Sequence, residues 1–311
     1  MSRHAYLILA HSRFEQLSKL VRMLDDSRND IFVHVDASAQ GFDLRSFEDL
    51  CSCSHLEFIE PRIEVNWGGL SIMNAELALL EACCRRGPYA YCHLLSGMDL
   101  PIKSQDFIHS FFEQHSGMEF LNYWKMKPHT HRRFRYYTLF PEGAGKFWQN
   151  LANNLFKGIQ MAVGHTINDG IEFKFASQWF SITGECARYV VSRREWLEKV
   201  FRHTNTADEI FLATLIWNSP FRSKLYDDAE HVQNSDIDSA AALRFIDWTR
   251  GESVRHPWTF RIEDWDLLMS VPHFWARKFD ENVDEAIIDR LYQHLVPAPR
   301  VKPSACDSKD S

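Results

Sequence analysis

The chain has 311 residues, 45% of them hydrophobic and 14% aromatic, with a formal charge of -7, enough for one large core or two lobes and unlike a disordered or fibrous chain. The negative balance argues against a nucleic-acid scaffold, which usually carries a net basic face. No run of eighteen or more apolar residues occurs and the first apolar stretch stops at His11, so neither a spanning helix nor a secretory leader is predicted. A cytoplasmic protein is expected, and peripheral association with the inner face of a membrane is compatible with that.

In chain order, AYLILAH (5–11) predicts a strand, FEQLSKLVRMLDD (14–26) an amphipathic helix, and DIFVHVDA (30–37) a second strand ending at Asp36. HLEFIE (55–60) reads as a short strand, SIMNAELALLEACCRR (71–86) as a helix burying Leu77, Leu79 and Leu80, and AYCHLLS (90–96) as a strand leading into the turn GMDLPIKS. Residues 120 to 175 are rich in aromatics, His and Arg without clear periodicity and read as loops with one helix, FWQNLANNLFKGIQMAV (147–163). Beyond them, KFASQWFSITGECARYVVSR (174–193) reads as a strand feeding a helix, and TADEIFLATLIWN (206–218) as a helix with Thr206 as N-cap and Glu209 at its third position. LRFIDW (243–248) predicts a strand, IEDWDLLMS (262–270) and DEAIIDRLYQHL (284–295) helices, and the residues after Pro297 a disordered tail. Alternating strands and helices predict an α/β fold with a mostly parallel sheet flanked by helices, its ligands at the carboxyl ends of the strands.

Chemistry-bearing residues fall into a few groups. Glu209, paired with Asp208 at a helix start and expected beside Trp179 and Trp217, is a candidate general base; a capping box with Thr206 explains the same glutamate. Arg255 in SVRHPWTF and Lys278 in WARKFD could converge on one diphosphate and neutralise it as a divalent cation would, or each could be a surface charge. The basic segment KMKPHTHRRFR (125–135) could bind an anion or form a solvated face. Two Asp-x-Asp strings, Asp236/Asp238 and Asp264/Asp266, have the spacing of a metal-dependent transferase, but neither follows an apolar strand of the first half. Gly97 suggests an unusual backbone angle before Asp99, which could hold a ribose, a sugar hydroxyl or its own turn. In NWGGLS, Trp67 could stack a base or a sugar and Gly68 and Gly69 permit close approach. Seven cysteines, at 51, 53, 83, 84, 92, 186 and 306, form no regular framework and read as reduced thiols, without zinc.

AYLILAH, IFVHVDA, NWGGLSIMNAEL, YCHLLSGMDLPIKS, SQWFSIT, TADEIFLATL and FWARKFD, in this order from about residue 4 to 295, resemble the core-2/I-branching β-1,6-N-acetylglucosaminyltransferase family, which also contains the peptide O-xylosyltransferases. The resemblance implies a single GT-A type (Rossmann-like) domain over 1–297, with a nucleotide-binding half to residue 120 and an acceptor and catalytic half beyond it, and a tail at 298–311. It implies inverting, metal-independent transfer from a UDP-sugar to a glycan hydroxyl, with Glu209 as base and Arg255 and Lys278 on the diphosphate. His11 and Asp36 fall where the family holds the uridine, and Arg133, Trp248 and Arg250 fall in the acceptor region. No cofactor and no metal are expected, and the partners are the donor and a glycan. IDWTRG resembles the xylosyltransferase branch, so GlcNAc and xylose both stand as donor sugars, and a bacterial surface polysaccharide is the expected acceptor. A nucleotide-sugar-binding or scaffold protein without transfer activity, and a metal-dependent transferase, are the alternatives.

Overall fold

The computed structural model describes residues 2–66, 69–127, 130–141, 147–204, 207–233, 241–250 and 256–296. Its centre is a five-stranded sheet of order β3-β2-β1-β4-β8, built from β1 (His4–Ala10), β2 (Asn29–Val35), β3 (His55–Phe58), β4 (Tyr91–Ser96) and β8 (Ser181–Thr183). The first four are mutually parallel and β8 runs antiparallel to β4. This is the mostly parallel sheet that the sequence pattern predicts.

Two apolar layers explain why β1, β2 and β4 read as unbroken hydrophobic runs. Side chains alternate across the pleat, so Ala5 and Leu7 join one buried cluster while Tyr6 and Ile8 join the other. The first layer contains Leu77, Leu79 and Leu80 of α2 (Leu70–Arg86), and the second contains Leu17, Leu20 and Leu24 of α1 (Phe14–Leu24). Both faces are covered, as a parallel sheet requires.

Several short elements escape sequence reading. β5 (Asp99–Pro101) lies inside the predicted turn GMDLPIKS and pairs antiparallel with β10 (Trp275–Arg277), itself parallel to β9 (Arg244–Ile246). Helices α3 (Gln105–Gln114) and α6 (Arg194–Phe201) flank the sheet, and the predicted strand before α5 (Gly184–Ser192) is two, β7 (Phe175–Ala176) and β8. β7 pairs with β6 (Tyr123–Trp124) in the middle region, followed there by α4 (Phe147–Ala162). Three further helices complete the chain: α7 (Phe211–Trp217), α8 (Trp265–Ser270) and α9 (Glu285–Leu295).

One glycine reading needs correction: Gly97 has no positive φ, so no unusual angle is required there. The glycine that geometry demands is Gly184, where α5 starts against the loop entering β4. A Cβ there would stand 2.0 Å from the Tyr89 carbonyl oxygen. The six described cysteines are free thiols.

Candidate active site

The carboxyl ends of β1, β2 and β4 are tied together by backbone bonds, Asp36 N donating to Ala10 O at 2.8 Å and Gly97 N to Leu9 O at 2.9 Å. This places His11 and Asp36 at one edge. Asp36 is 8% exposed and its Oδ1 accepts from Ser38 N and Oγ at 2.8 and 2.7 Å. His11 is exposed just past the end of β1; desolvation comes first in depressing its pKa, Asp36 opposes it, and the charges of Arg277, Lys278 and Arg13 add to it. A neutral imidazole among three cations marks an edge suited to an anion.

Two of these cations stand at the end of β10, Arg277 as its last residue and Lys278 just beyond it. Arg277 Nη1 bonds Asp99 Oδ1 at 2.8 Å, and its guanidinium lies 4.5 Å from the centre of the Trp179 ring. Lys278 is half-buried, joined to Arg277 by a cis peptide bond and anchored by its backbone, its N donating to Trp258 O at 3.3 Å and its O accepting from Phe260 N at 2.9 Å. The third cation, Arg13, opens α1 in left-handed backbone (φ 59°) and forks onto Asp280 at 2.6 and 3.2 Å.

Of the roles open to Asp99, holding its own turn is the one observed. Asp99 is 1% exposed, its Oδ2 accepts from Ser96 N at 2.9 Å and its Oδ1 from Arg277, so in this arrangement it holds the cation and does not face a ligand. Burial raises its pKa, with Arg277 opposing that most strongly.

Glu209 lies elsewhere than in the predicted helix. It sits in a turn one residue before the N-cap of α7, Ile210, whose side chain makes no capping bond. The turn closes through Ile210 N and Phe211 N, both donating to Ala207 O at 3.0 and 2.8 Å, and the Glu209 carbonyl accepts from Ala176 N at 2.9 Å. The partner required for a capping box, Thr206, lies outside the described residues.

The Glu209 carboxyl keeps 26% of its surface exposed and meets Arg133 Nη1 at 3.4 Å, a long contact. Desolvation first, then the neighbouring charge of Asp208, push its pKa up to about 8, while Arg133 opposes this. Burial likewise raises Asp208, and its Oδ1 is buried without a hydrogen-bond partner among the described residues. A third acid stands behind them: Glu76 of α2 is fully buried, accepts from Gln178 Nε2 at 2.8 Å, and is pushed well above the carboxylate range by burial and by Asp208. Burial raises all three acids, and among the described residues the ion pair they make is the long Arg133 contact, so the cluster favours protonated carboxyls.

One short segment links the acids to the cations. Ala176 holds the Glu209 carbonyl, Gln178 holds Glu76, and Trp179 carries Arg277 on its ring. From Ala176 to Trp179 the chain can reach at most about 10 Å. Glu209, Glu76 and Arg277 are thus all attached to one stretch of four residues.

The other expected residues divide. Arg133, in the 3-10 turn Thr130–Arg133, reaches Glu209 as described. Arg250 is committed elsewhere, bonded to Asp247 Oδ2 and Asp264 Oδ1 at 2.6 Å each with its guanidinium 5.0 Å from the Trp258 ring, which staples its loop. Trp248 on that loop is half-buried. Asp264, of the second Asp-x-Asp string, also accepts from Trp258 Nε1 and Arg261 N, both at 2.9 Å. Trp217 is sandwiched between Lys174 (3.9 Å) and Arg222 (3.8 Å) at the far end of α7 from Glu209. Trp67, Arg255, Asp236 and Asp238 lie outside the described residues. Sequence reading missed Arg277 and Glu76. Glu76 had a signal, since it stands three residues after Met73 and four before Leu80 on the buried stripe of α2.

A family model described as Core-2/I-Branching enzyme matches residues 4–268. The chain is 23% identical over 308 residues to Xylosyltransferase oxt of Drosophila melanogaster, covering 94% of this chain and 33% of that protein. It is 23% identical over 307 residues to Xylosyltransferase 2 of Canis lupus familiaris, covering 94% and 34%. Against a beta-1,3-galactosyl-O-glycosyl-glycoprotein beta-1,6-N-acetylglucosaminyltransferase of Bos taurus it is 25% identical over 324 residues, covering 94% and 69%. The chain spans about a third of the length of the xylosyltransferases it matches.

Proposed function

We propose that this chain, which belongs to the Core-2/I-Branching enzyme family, is an inverting glycosyltransferase that moves a sugar from a UDP-sugar to a glycan hydroxyl without a metal ion. The observation that carries the reading is Glu209, a partly exposed carboxyl raised by desolvation and Asp208 and joined through one segment to the Trp179–Arg277 pair. In its ionised form Glu209 accepts the proton of the acceptor hydroxyl. The freed oxygen pair forms the bond to the anomeric carbon, and the bond from that carbon to the diphosphate oxygen breaks with its electrons leaving on UDP. Arg277 and Lys278, with Arg255 as a further candidate, offset the negative charge that grows on the leaving group, the task a divalent cation performs elsewhere. His11 and Asp36 at the strand ends would take the nucleoside, and Arg133, adjoining Glu209, the acceptor. The relatives' names keep both GlcNAc and xylose as donor sugars, and a bacterial surface polysaccharide remains the proposed acceptor class. Calorimetry of UDP with the full chain in EDTA tests the donor side. Binding that Lys278→Ala weakens at least about tenfold supports the reading, and binding only after manganese is added refutes the metal-free part of it.

A further inference from the structure

We propose that the outward face of α4 is a docking surface for an anionic lipid bilayer, on which the helix lies flat. The helix is built inside out. Its protein-facing stripe is Gln149, Asn153, Phe156 and Gln160, and two of the amides clamp the chain beneath. Asn153, 6% exposed, accepts from Phe140 N and donates to Phe140 O at 3.0 and 3.1 Å, and Gln160, 3% exposed, does the same for Tyr137 at 2.9 and 3.0 Å. With two of its amides spent on backbone groups, the helix turns Trp148, Leu151, Leu155 and Ile159 outward, with Trp148 75% and Leu155 66% exposed. Phe147, Met161, Val163, Leu139 and Phe140 are exposed around them. A soluble surface helix has the opposite polarity, and a contiguous apolar face of this kind needs a covering.

Charge decides what covers it. Residues 125–163 carry seven Lys and Arg against one acid, in a chain of net charge -7. Arg132 and Arg133 stand close enough to Lys157 on α4 to depress its pKa together with desolvation. A second copy would bring two cationic surfaces face to face, whereas an anionic membrane surface complements this one. An apolar stripe bearing Trp, Phe and Leu with basic residues on its flank is the composition of helices that lie in a membrane interface. Among the described residues no helix is long and apolar enough to cross a membrane, and α4, about 24 Å long, lies along the surface. Arg133 belongs both to this flank and to the Glu209 contact, so the bilayer-facing side adjoins the acid cluster. The docking does not depend on the sugar-transfer reading.

Vesicle flotation of the full chain tests it, using phosphatidylglycerol and phosphatidylcholine mixed at about 3:7 against phosphatidylcholine alone. The wild type is expected to float with the anionic vesicles, to stay behind with the neutral ones, and to be released by about 0.5 M salt. Trp148→Ser combined with Leu155→Ser, both exposed and therefore harmless to the thermal melt, should cut the bound fraction at least about tenfold. Lys157→Glu should weaken it as well. Failure of the wild type to float with anionic vesicles overturns the proposal. So does a dimer in sedimentation that the same serine substitutions dissociate, which would make the face an interface between copies.

Discussion

Glu209→Gln should make the folded protein more stable at alkaline pH while it stops the chemistry. In the folded state the Glu209 carboxyl is raised from 4.5 to about 8 by burial and by Asp208. A carboxyl raised in this way favours folding in its protonated form, so its contribution is intact below about pH 4.5 and is lost as pH climbs through 8. At about 1.4 kcal/mol per pH unit the displacement bounds the loss at about 5 kcal/mol. Because the side chain keeps 26% exposure and shares its charge with Asp208, the measurable part is ~1–2 kcal/mol. Urea melts from pH 5 to 9 read it directly. The two proteins should coincide near pH 5, and the glutamine variant should pull ahead as pH rises. Transfer by the variant should fall on the order of a hundredfold or more, the share of a general base. A variant less stable than wild type at every pH, by about 1 kcal/mol, would refute this reasoning and leave Glu209 a purely structural role.

Asp208→Asn and Arg133→Gln should move the rising limb of the pH profile of kcat/KM in opposite directions, to lower and to higher pH, because Asp208 raises Glu209 and Arg133 lowers it; shifts of the same sign would disprove the pairing. Arg277→Ala leaves Asp99, 1% exposed, without its cation and should cost about 3–5 kcal/mol in urea melts. Lys278→Ala should cost less than about 0.5 kcal/mol yet weaken UDP binding. Gly184→Ala sets a Cβ 2.0 Å from the Tyr89 carbonyl oxygen and should lose about 2–4 kcal/mol; a melt within error of wild type would mean that the start of α5 can shift.

The sheet was legible because its strands are buried on both faces. β1, β2 and β4 carry apolar runs that only a covered parallel sheet tolerates, and the helices between them keep a 3.6-residue stripe. What escaped was set by pairing at a distance. β5 and β10 are three residues each and stand as strands only because Asp99 lies opposite Arg277 and Pro101 opposite Trp275. Pro101 is tolerated there because β5 is the edge of its three-stranded sheet. TADEIFLATL reads as a helix through Glu209, but α7 begins at Phe211, and the bond from Ala176 N to the Glu209 carbonyl ties this residue into the turn ahead of it. Arg277 was passed over for Lys278 because nothing local says that one guanidinium will find Asp99 and Trp179 at once.

The same long-range pairing bears on how the proposed base and the proposed diphosphate cations are positioned. β8, from beyond residue 120, completes the sheet of the first half against β4, and β5 of the first half pairs with β10 of the second. The segment between β7 and β8 therefore hangs on structure at both ends, with Phe180 O accepting from Leu94 N at 3.0 Å and Ser177 N donating to Asn122 O at 2.9 Å. The buried Arg244 adds a second lock, its Nη2 donating to Leu94 O and Phe180 O at 2.8 and 2.6 Å. Glu209 attaches to this segment by a backbone bond and Arg277, itself in β10, by the Trp179 ring, so both backbones are positioned by paired strands. Charge placed that rigidly needs little reorganisation when it is called on, which is where most of the advantage of a folded site over free groups in water lies.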